Sequence, residues 1–129
     1  MVKLGYLISY VDNVEAALTF FEQAFAFKRR LLVETGDYGE LESGDAVIAF
    51  AAHSLGRDNL PAGYVRMDAS ALPLGMELAL VCDDLAATHQ RCLQHGAAEL
   101  QAPAQKPWGQ TVSYLRTPFG LLLELCTPL

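Results

Sequence analysis

A chain of 129 residues with a formal net charge of −6 is long enough for one compact domain with a buried core. The acidic balance argues against a nucleic-acid partner, which needs a basic stripe for phosphates, and no apolar run is long enough to span a bilayer. Three widely spaced cysteines in apolar surroundings, Cys82, Cys92 and Cys126, read as reduced core thiols; with no basic-then-apolar leader, the cytoplasm is the expected location.

Lys3 to Val11 alternates weakly and is expected to be a strand. Asp12-Asn13 then starts a helix, with Glu15 placed three residues after Asp12 in capping-box spacing. Val14, Ala17, Leu18, Phe21, Ala24 and Phe25 recur at helical spacing, so one face of that helix should be buried. Phe27 to Glu34 reads as a second strand, stopped by Gly36-Asp37, and Tyr38 to Glu42 as a third. Ser43-Gly44-Asp45 is a hairpin turn and Ala46 to Ala51 a fourth strand, giving the order β-α-β-β-β.

His53 to Leu74 has a different texture, with Pro61, Pro73, Gly56 and Gly63, and only Tyr64 to Met67 looks extended. It is expected to be a connector carrying at most a short strand or a turn of helix. The earlier order then restarts. Met76 to Cys82 is a strand, Asp83-Asp84 a cap, and Leu85, Thr88, Cys92 and Leu93 mark a helix that Gly96 ends. Glu99 to Ala102 is a short strand, followed by a Pro-containing loop to Trp108-Gly109. Thr111 to Leu115 is a strand with Val112, Tyr114 and Arg116 on one face, and Thr117-Pro118-Phe119-Gly120 is a turn. Leu121 to Leu125 is an apolar strand interrupted once, by Glu124.

The two halves superpose. Val11-Asp12-Asn13-Val14 lies on Cys82-Asp83-Asp84-Leu85, and the Gly44-Asp45 turn on the Phe119-Gly120 turn. Tyr6 then pairs with Glu77, and Ala49 with Glu124. The expected fold class is α+β, with repeat 1 over residues 1–52, a connector over 53–75 and repeat 2 over 76–129.

The D-x-V/L-x-x-A helix starts, the Pro107-Trp108-Gly109-Gln110 segment and the Thr117-Pro118-Phe119-Gly120 turn leading to Glu124-Leu125 resemble the vicinal oxygen chelate superfamily. That group holds glyoxalase I, extradiol dioxygenases, fosfomycin-resistance transferases and bleomycin-resistance proteins. Thr117 stands where relatives commonly carry Asp, and a turn-starting hydroxyl substitutes for it. The resemblance implies tandem βαβββ modules with curved mixed sheets, cups lined by those sheets, and a homodimer. It also implies four metal-ligand positions, which fall on Tyr6, Ala49, Glu77 and Glu124. Two carboxylates without an imidazole suit zinc, nickel or iron poorly, and magnesium or calcium wants more oxygen ligands than these. No metal and no cofactor are therefore expected; a divalent metal on Glu77 and Glu124 is the alternative.

Glu124 is the residue that most needs explaining, because a carboxylate within an apolar strand is costly to desolvate unless something meets it. Either it is a vestige paired with an arginine or a tyrosine hydroxyl, or it lines the cup with Glu77 and serves as a ligand contact or general base. Trp108 is read as packing over the end of the sheet, or as a stacking wall for an aromatic guest. Tyr6, Phe50, Glu77, Trp108, Tyr114 and Glu124 form the candidate ligand-binding set, and Tyr64, Met67 and Arg66 are weaker candidates. His53, His89 and His95 are expected to be partly exposed, without a catalytic partner. The reading is a metal-independent protein that holds a small cationic or aromatic molecule, as bleomycin-resistance proteins do. The alternative is a glyoxalase-like lyase or isomerase that uses a divalent metal or Glu124 as base.

Overall fold

The computed structural model describes all residues, 1–129, and divides them into two compact units, Met1–Arg66 and Met67–Leu129. Unit 1 contains β1 (Tyr6–Val11), α1 (Val14–Phe25), β2 (Lys28–Leu32), β3 (Tyr38–Glu42), β4 (Val47–Ala52) and α2 (His53–Asn59). Unit 2 contains β5 (Glu77–Val81), α3 (Leu85–Gln94), β6 (Ala98–Gln105), β7 (Thr111–Arg116) and β8 (Leu122–Cys126). Each unit builds one mixed four-stranded sheet, ordered β1-β4-β3-β2 and β5-β8-β7-β6. In both, the first strand runs parallel to the last and the remaining pairs are antiparallel. The duplicated β-α-β-β-β order expected from the sequence is the observed one.

In unit 1 the sheet divides its two faces by strict alternation. Gly39 and its register partner Phe50 face α1: a Cβ on Gly39 would stand 2.7 Å from Leu18 Cδ1, and the Phe50 ring lies 5.5 Å from that of Phe21. Phe21 also meets Phe25 at 5.4 Å and Phe27 at 6.1 Å, and pairs of this kind add about 0.5–1.5 kcal/mol each beyond the area they bury. Tyr6, Ile8 and Tyr10 on β1, Ala49 on β4, and Tyr38 and Glu40 on β3 share the opposite face.

Both long helices begin on a side-chain cap. Asn13 accepts from the Ala16 amide at 2.9 Å, and Asp84 accepts from the Ala87 amide at 3.2 Å. The capping box expected from Asp12 and Glu15 does not form, because the cap is one residue later and Glu15 is turned to β2. There Arg29 bridges Glu15 at 2.8 Å and Glu22 at 2.6 Å, tying α1 to the strand after it. Helix α1 ends on Ala26 in the left-handed conformation, φ 59°, a place that usually goes to glycine.

Two elements differ from their expected extents. Helix α2 follows β4 without a gap, so the connector carries two turns of helix where at most one turn was expected, and no strand forms at Tyr64 to Met67. Strand β6 runs on past Pro103 to Gln105. It is an edge strand, and its register slips between Gln101 and Ala104, so the missing proline N–H removes no ladder bond.

In unit 2, Thr117 makes its turn as an Asp would: its Oγ1 accepts from the Leu121 amide at 2.9 Å. Gly120 has φ +96°, and a Cβ there would come within 2.6 Å of the Met67 carbonyl, so glycine is required by both backbone and space. Arg116 fixes the segment that crosses there, donating from Nη2 to the carbonyls of Met67 at 2.6 Å and Ser70 at 3.0 Å, and from Nη1 to that of Ala71 at 3.3 Å.

Candidate functional site

The site is built on the sheet of unit 2. Ala79, Glu124 and Tyr114 stand side by side in register across β5, β8 and β7, flanked by Glu77 with Leu122 and by Val81 with Cys126 and Val112. Side chains in one row of register share a face. The other face belongs to α3, where Leu123, Leu125, Leu115 and Ser113 are buried. His89 of α3 bonds Ser113 across that interior at 2.8 Å, which places Tyr114 and Glu124 on the side away from the helix.

Glu124 is half-buried and receives the Tyr114 hydroxyl on Oε1 at 3.0 Å. That is one of the partners its sequence position called for. Its second neighbour is Glu77, one step back along the adjacent strand. Burial pushes the Glu77 carboxyl above its ordinary range, and the charge of Glu124 and a hydrogen bond with it push the same way. The residue as a whole is exposed at the start of β5, so water still reaches it. The bond to Glu124 also raises the Tyr114 phenol, with burial adding to it; for the Cys126 thiol burial comes first and Glu124 second.

Several residues are elsewhere than expected. Phe50 is fully buried beneath α1, on the side of its sheet opposite Tyr6, so it lines no ligand face. Trp108 is 63% exposed, and its indole donates to Gln110 Oε1 at 2.8 Å in the turn before β7. Tyr6 is exposed in unit 1, on the face away from α1. Arg66 meets Asp12 at 3.6 Å and Tyr64 stacks on Tyr10, both within unit 1. His53 and His89 are not partly exposed but buried: His53 Nδ1 is 2.6 Å from the Tyr64 hydroxyl, and His89 joins Ser113 to Glu99. Amphipathic spacing missed His89 because it is a polar residue on the buried stripe, one position after Thr88. Only His95 is exposed.

Unit 1 holds a group that the sequence did not single out. Glu40 is 8% exposed, and its two oxygens take the Tyr38 hydroxyl at 2.7 Å and Arg30 Nε at 3.2 Å. A residue-by-residue comparison of β3 with β7 would have found it, since Glu40 occupies the register place that Tyr114 holds in unit 2.

The model of the Glyoxalase/Bleomycin resistance protein/Dioxygenase superfamily matches residues 3–125. The chain belongs to this superfamily. Its fold is that of a glyoxalase/bleomycin resistance protein/dioxygenase family enzyme from Burkholderia phytofirmans PsJN, with TM-score 0.81 and 19% identity over 99% of this chain and 100% of that one. A glyoxalase-related enzyme from Fulvimarina pelagi aligns with TM-score 0.81 and 16% identity over 99% and 89%. TioX from Micromonospora sp. ML1 aligns with TM-score 0.68 and 16% identity over 99% and 100%. At these identities the likeness is one of fold. No curated protein matches in sequence.

The superfamily's metal-ligand positions are poorly equipped here. Register confirms that Tyr6 corresponds to Glu77 and Ala49 to Glu124, as each pair holds the same place in its sheet. Ala49 offers no donor atom and Tyr6 a phenol. No three His, Cys, Asp or Glu side chains converge as a candidate metal cluster. The donor set therefore does not fit the divalent metal of the glyoxalases.

Proposed function

We propose that this superfamily member binds a small organic cation without a metal, sequestering it as bleomycin-resistance proteins do, and that it works as a homodimer in the cytoplasm. The observation that carries the reading is the Glu77–Glu124 pair, two carboxylates at neighbouring places on adjacent strands, with the Tyr114 hydroxyl on Glu124. An ammonium or amidinium group can meet both acids at once, gaining charge-assisted bonds. Ala79, Leu122 and the Tyr114 ring flank the pair and offer apolar surface to the rest of the guest.

Sequestration fits this face better than catalysis. Acid–base chemistry on a carbon acid needs a second group free to receive or return a proton; the Tyr114 hydroxyl is committed to Glu124, and no imidazole of unit 2 lies on that side of the sheet, since His89 is on the α3 side and His95 follows α3. The exposed Val81, on the sheet face that no helix of its own unit covers, supplies apolar area that a second copy can bury.

Titration calorimetry with metal-free bleomycin, on protein treated with chelator, tests the reading. Stoichiometric binding is expected, weakened roughly ten- to hundred-fold by Glu124→Gln, the change that follows from losing a charged hydrogen bond. A stoichiometric metal in protein purified without chelator, or turnover of hemithioacetals, would favour a glyoxalase-type lyase and defeat the proposal. Light scattering at the mass of one chain would remove the dimer.

A further inference from the structure

We propose that Arg30 of unit 1, paired with the buried Glu40, binds the carboxylate of a small aromatic acid. The site has three parts. Glu40 is the most deeply buried carboxylate of the chain, and both its oxygens are engaged within the unit, by Tyr38 and by Arg30 Nε. Arg30 is thus held by one edge. Its side chain is 50% exposed, and Nη1 and Nη2 carry no partner in the chain. A guanidinium paired with a carboxylate through its Nε side leaves Nη1 and Nη2 as a planar fork, which matches the two oxygens of a second carboxylate.

The third part is Tyr6. It lies on the same face, 53% exposed, and its hydroxyl has no partner. Between Ile8 on β1 and Glu40 on β3 the sheet carries only the small Ala49, in register with both, so the face is open from Tyr6 and Ile8 to Arg30. The Tyr38 hydroxyl is committed to Glu40, so Tyr6 is the phenol on this face left to a ligand. Its ring and the exposed Ile8 beside it on β1 give the flat apolar wall that an aromatic body needs.

Charge selects the ligand class. Arg30 and Glu40 together are neutral, and Glu42 is the next residue on the same face of β3. A monoanion gains the fork without strong repulsion, whereas a phosphate dianion meets two carboxylates. Nothing here depends on Glu77 or Glu124.

The test is an NMR titration of the full chain with phenylacetate, following the Arg30 Nε–H resonance. That resonance should move, and phenylacetamide at the same concentration should leave it in place. Arg30→Gln should weaken binding roughly ten- to hundred-fold with little change in melting temperature. Arg30→Lys should fail to restore it, because an ammonium lacks the fork. Glu124→Gln should bind phenylacetate like the parent, which separates this site from the cation site. The proposal is overturned if phenylacetate up to about 10 mM, enough to register even weak affinity, leaves Arg30 undisturbed. Equal binding by Arg30→Gln or Arg30→Lys, or inorganic phosphate binding as tightly as phenylacetate, also overturns it.

Discussion

Glu124 and Glu40 sit on neighbouring strands of the repeat, not on equivalent ones. Glu124 on β8 stands opposite Tyr114 on β7, while Glu40 on β3 stands opposite Ala49 on β4. Each unit therefore keeps one half-buried or buried carboxylate on the face away from its long helix, and each gives it a tyrosine hydroxyl, Tyr114 or Tyr38. The neighbours then set opposite tendencies. Glu124 has a second acid beside it and favours cations; Glu40 has an arginine and presents that arginine outward. Each sheet thus carries a carboxylate bonded by a phenol, at places that do not correspond.

The Glu77–Glu124 contact predicts how stability varies with pH. The Glu77 carboxyl is raised in the folded chain, so between its unfolded and folded pKa the native state binds more protons than the unfolded state. Its contribution is fully present below the ordinary carboxylate pKa and is lost as pH rises through the raised value. Urea midpoints measured upward from about pH 4 should fall across that window for the parent. Glu77→Gln should flatten that part of the curve. Cation binding should strengthen over the same window, as Glu77 loses its proton. A parent profile that matches Glu77→Gln would mean that the two acids do not interact.

His89 predicts a large loss from one buried side chain. It is 1% exposed and spends one ring nitrogen on Ser113 at 2.8 Å and the other on Glu99 at 2.7 Å. His89→Ala strands the Ser113 hydroxyl in the interior and opens a cavity under α3. The expected cost is about 2–4 kcal/mol in urea unfolding. Ser113→Ala, which removes the hydroxyl but leaves the ring, should cost about 1 kcal/mol. Equal costs for the two would assign the loss to the hydrogen bond alone.

Most of the fold was legible because the two periods of the chain do not conflict. The apolar stripe of Val14, Ala17, Leu18, Phe21 and Ala24 is the buried stripe of α1, and the turn at Thr117 to Gly120 forms where its residues predict. Glu124 also stood out in sequence, as a lone carboxylate in an apolar strand. Arg30 and Glu40 did not, because Lys28, Arg29, Arg30, Glu40 and Glu42 read as ordinary surface charge. Which of them turns inward depends on the bulge between Arg29 and Leu31 and on the Ala49 opposite, which are matters of register across strands. Phe50 misled for the converse reason. One residue from Ala49, it lies on the other face of the strand, and alternation with an uncertain starting point gives either answer.

Ala26 predicts a stabilising change. It closes α1 in the left-handed region at φ 59°, with its amide bonded to Glu22 at 2.9 Å. An L side chain is disfavoured there by about 1–2 kcal/mol, part of which glycine gives back through greater freedom of the unfolded chain. Ala26→Gly should raise stability by about 0.5 kcal/mol, read as a higher urea midpoint with unchanged slope. A lower midpoint would mean that contacts of the Ala26 methyl outweigh the backbone strain.

Arg116 predicts local opening without global loss of structure. Its guanidinium donates to the carbonyls of Met67, Ser70 and Ala71, and its Nε to that of Gly120 at 3.3 Å, so one side chain ties the crossing segment to the last turn. That segment has no strand or helix of its own, and its close approach to Gly120 leaves no room for a substitute side chain. Arg116→Ala should raise amide exchange across residues 67–71 and around Gly120, while β7 and β8 keep their protection. A global cost of about 1–3 kcal/mol is expected, since each charged bond is exchanged for water. Arg116→Lys keeps the charge but reaches fewer carbonyls at once, so it should protect the segment only in part. If Arg116→Ala leaves exchange at residues 67–71 unchanged, packing of the segment against Gly120, and not the guanidinium, is what holds it.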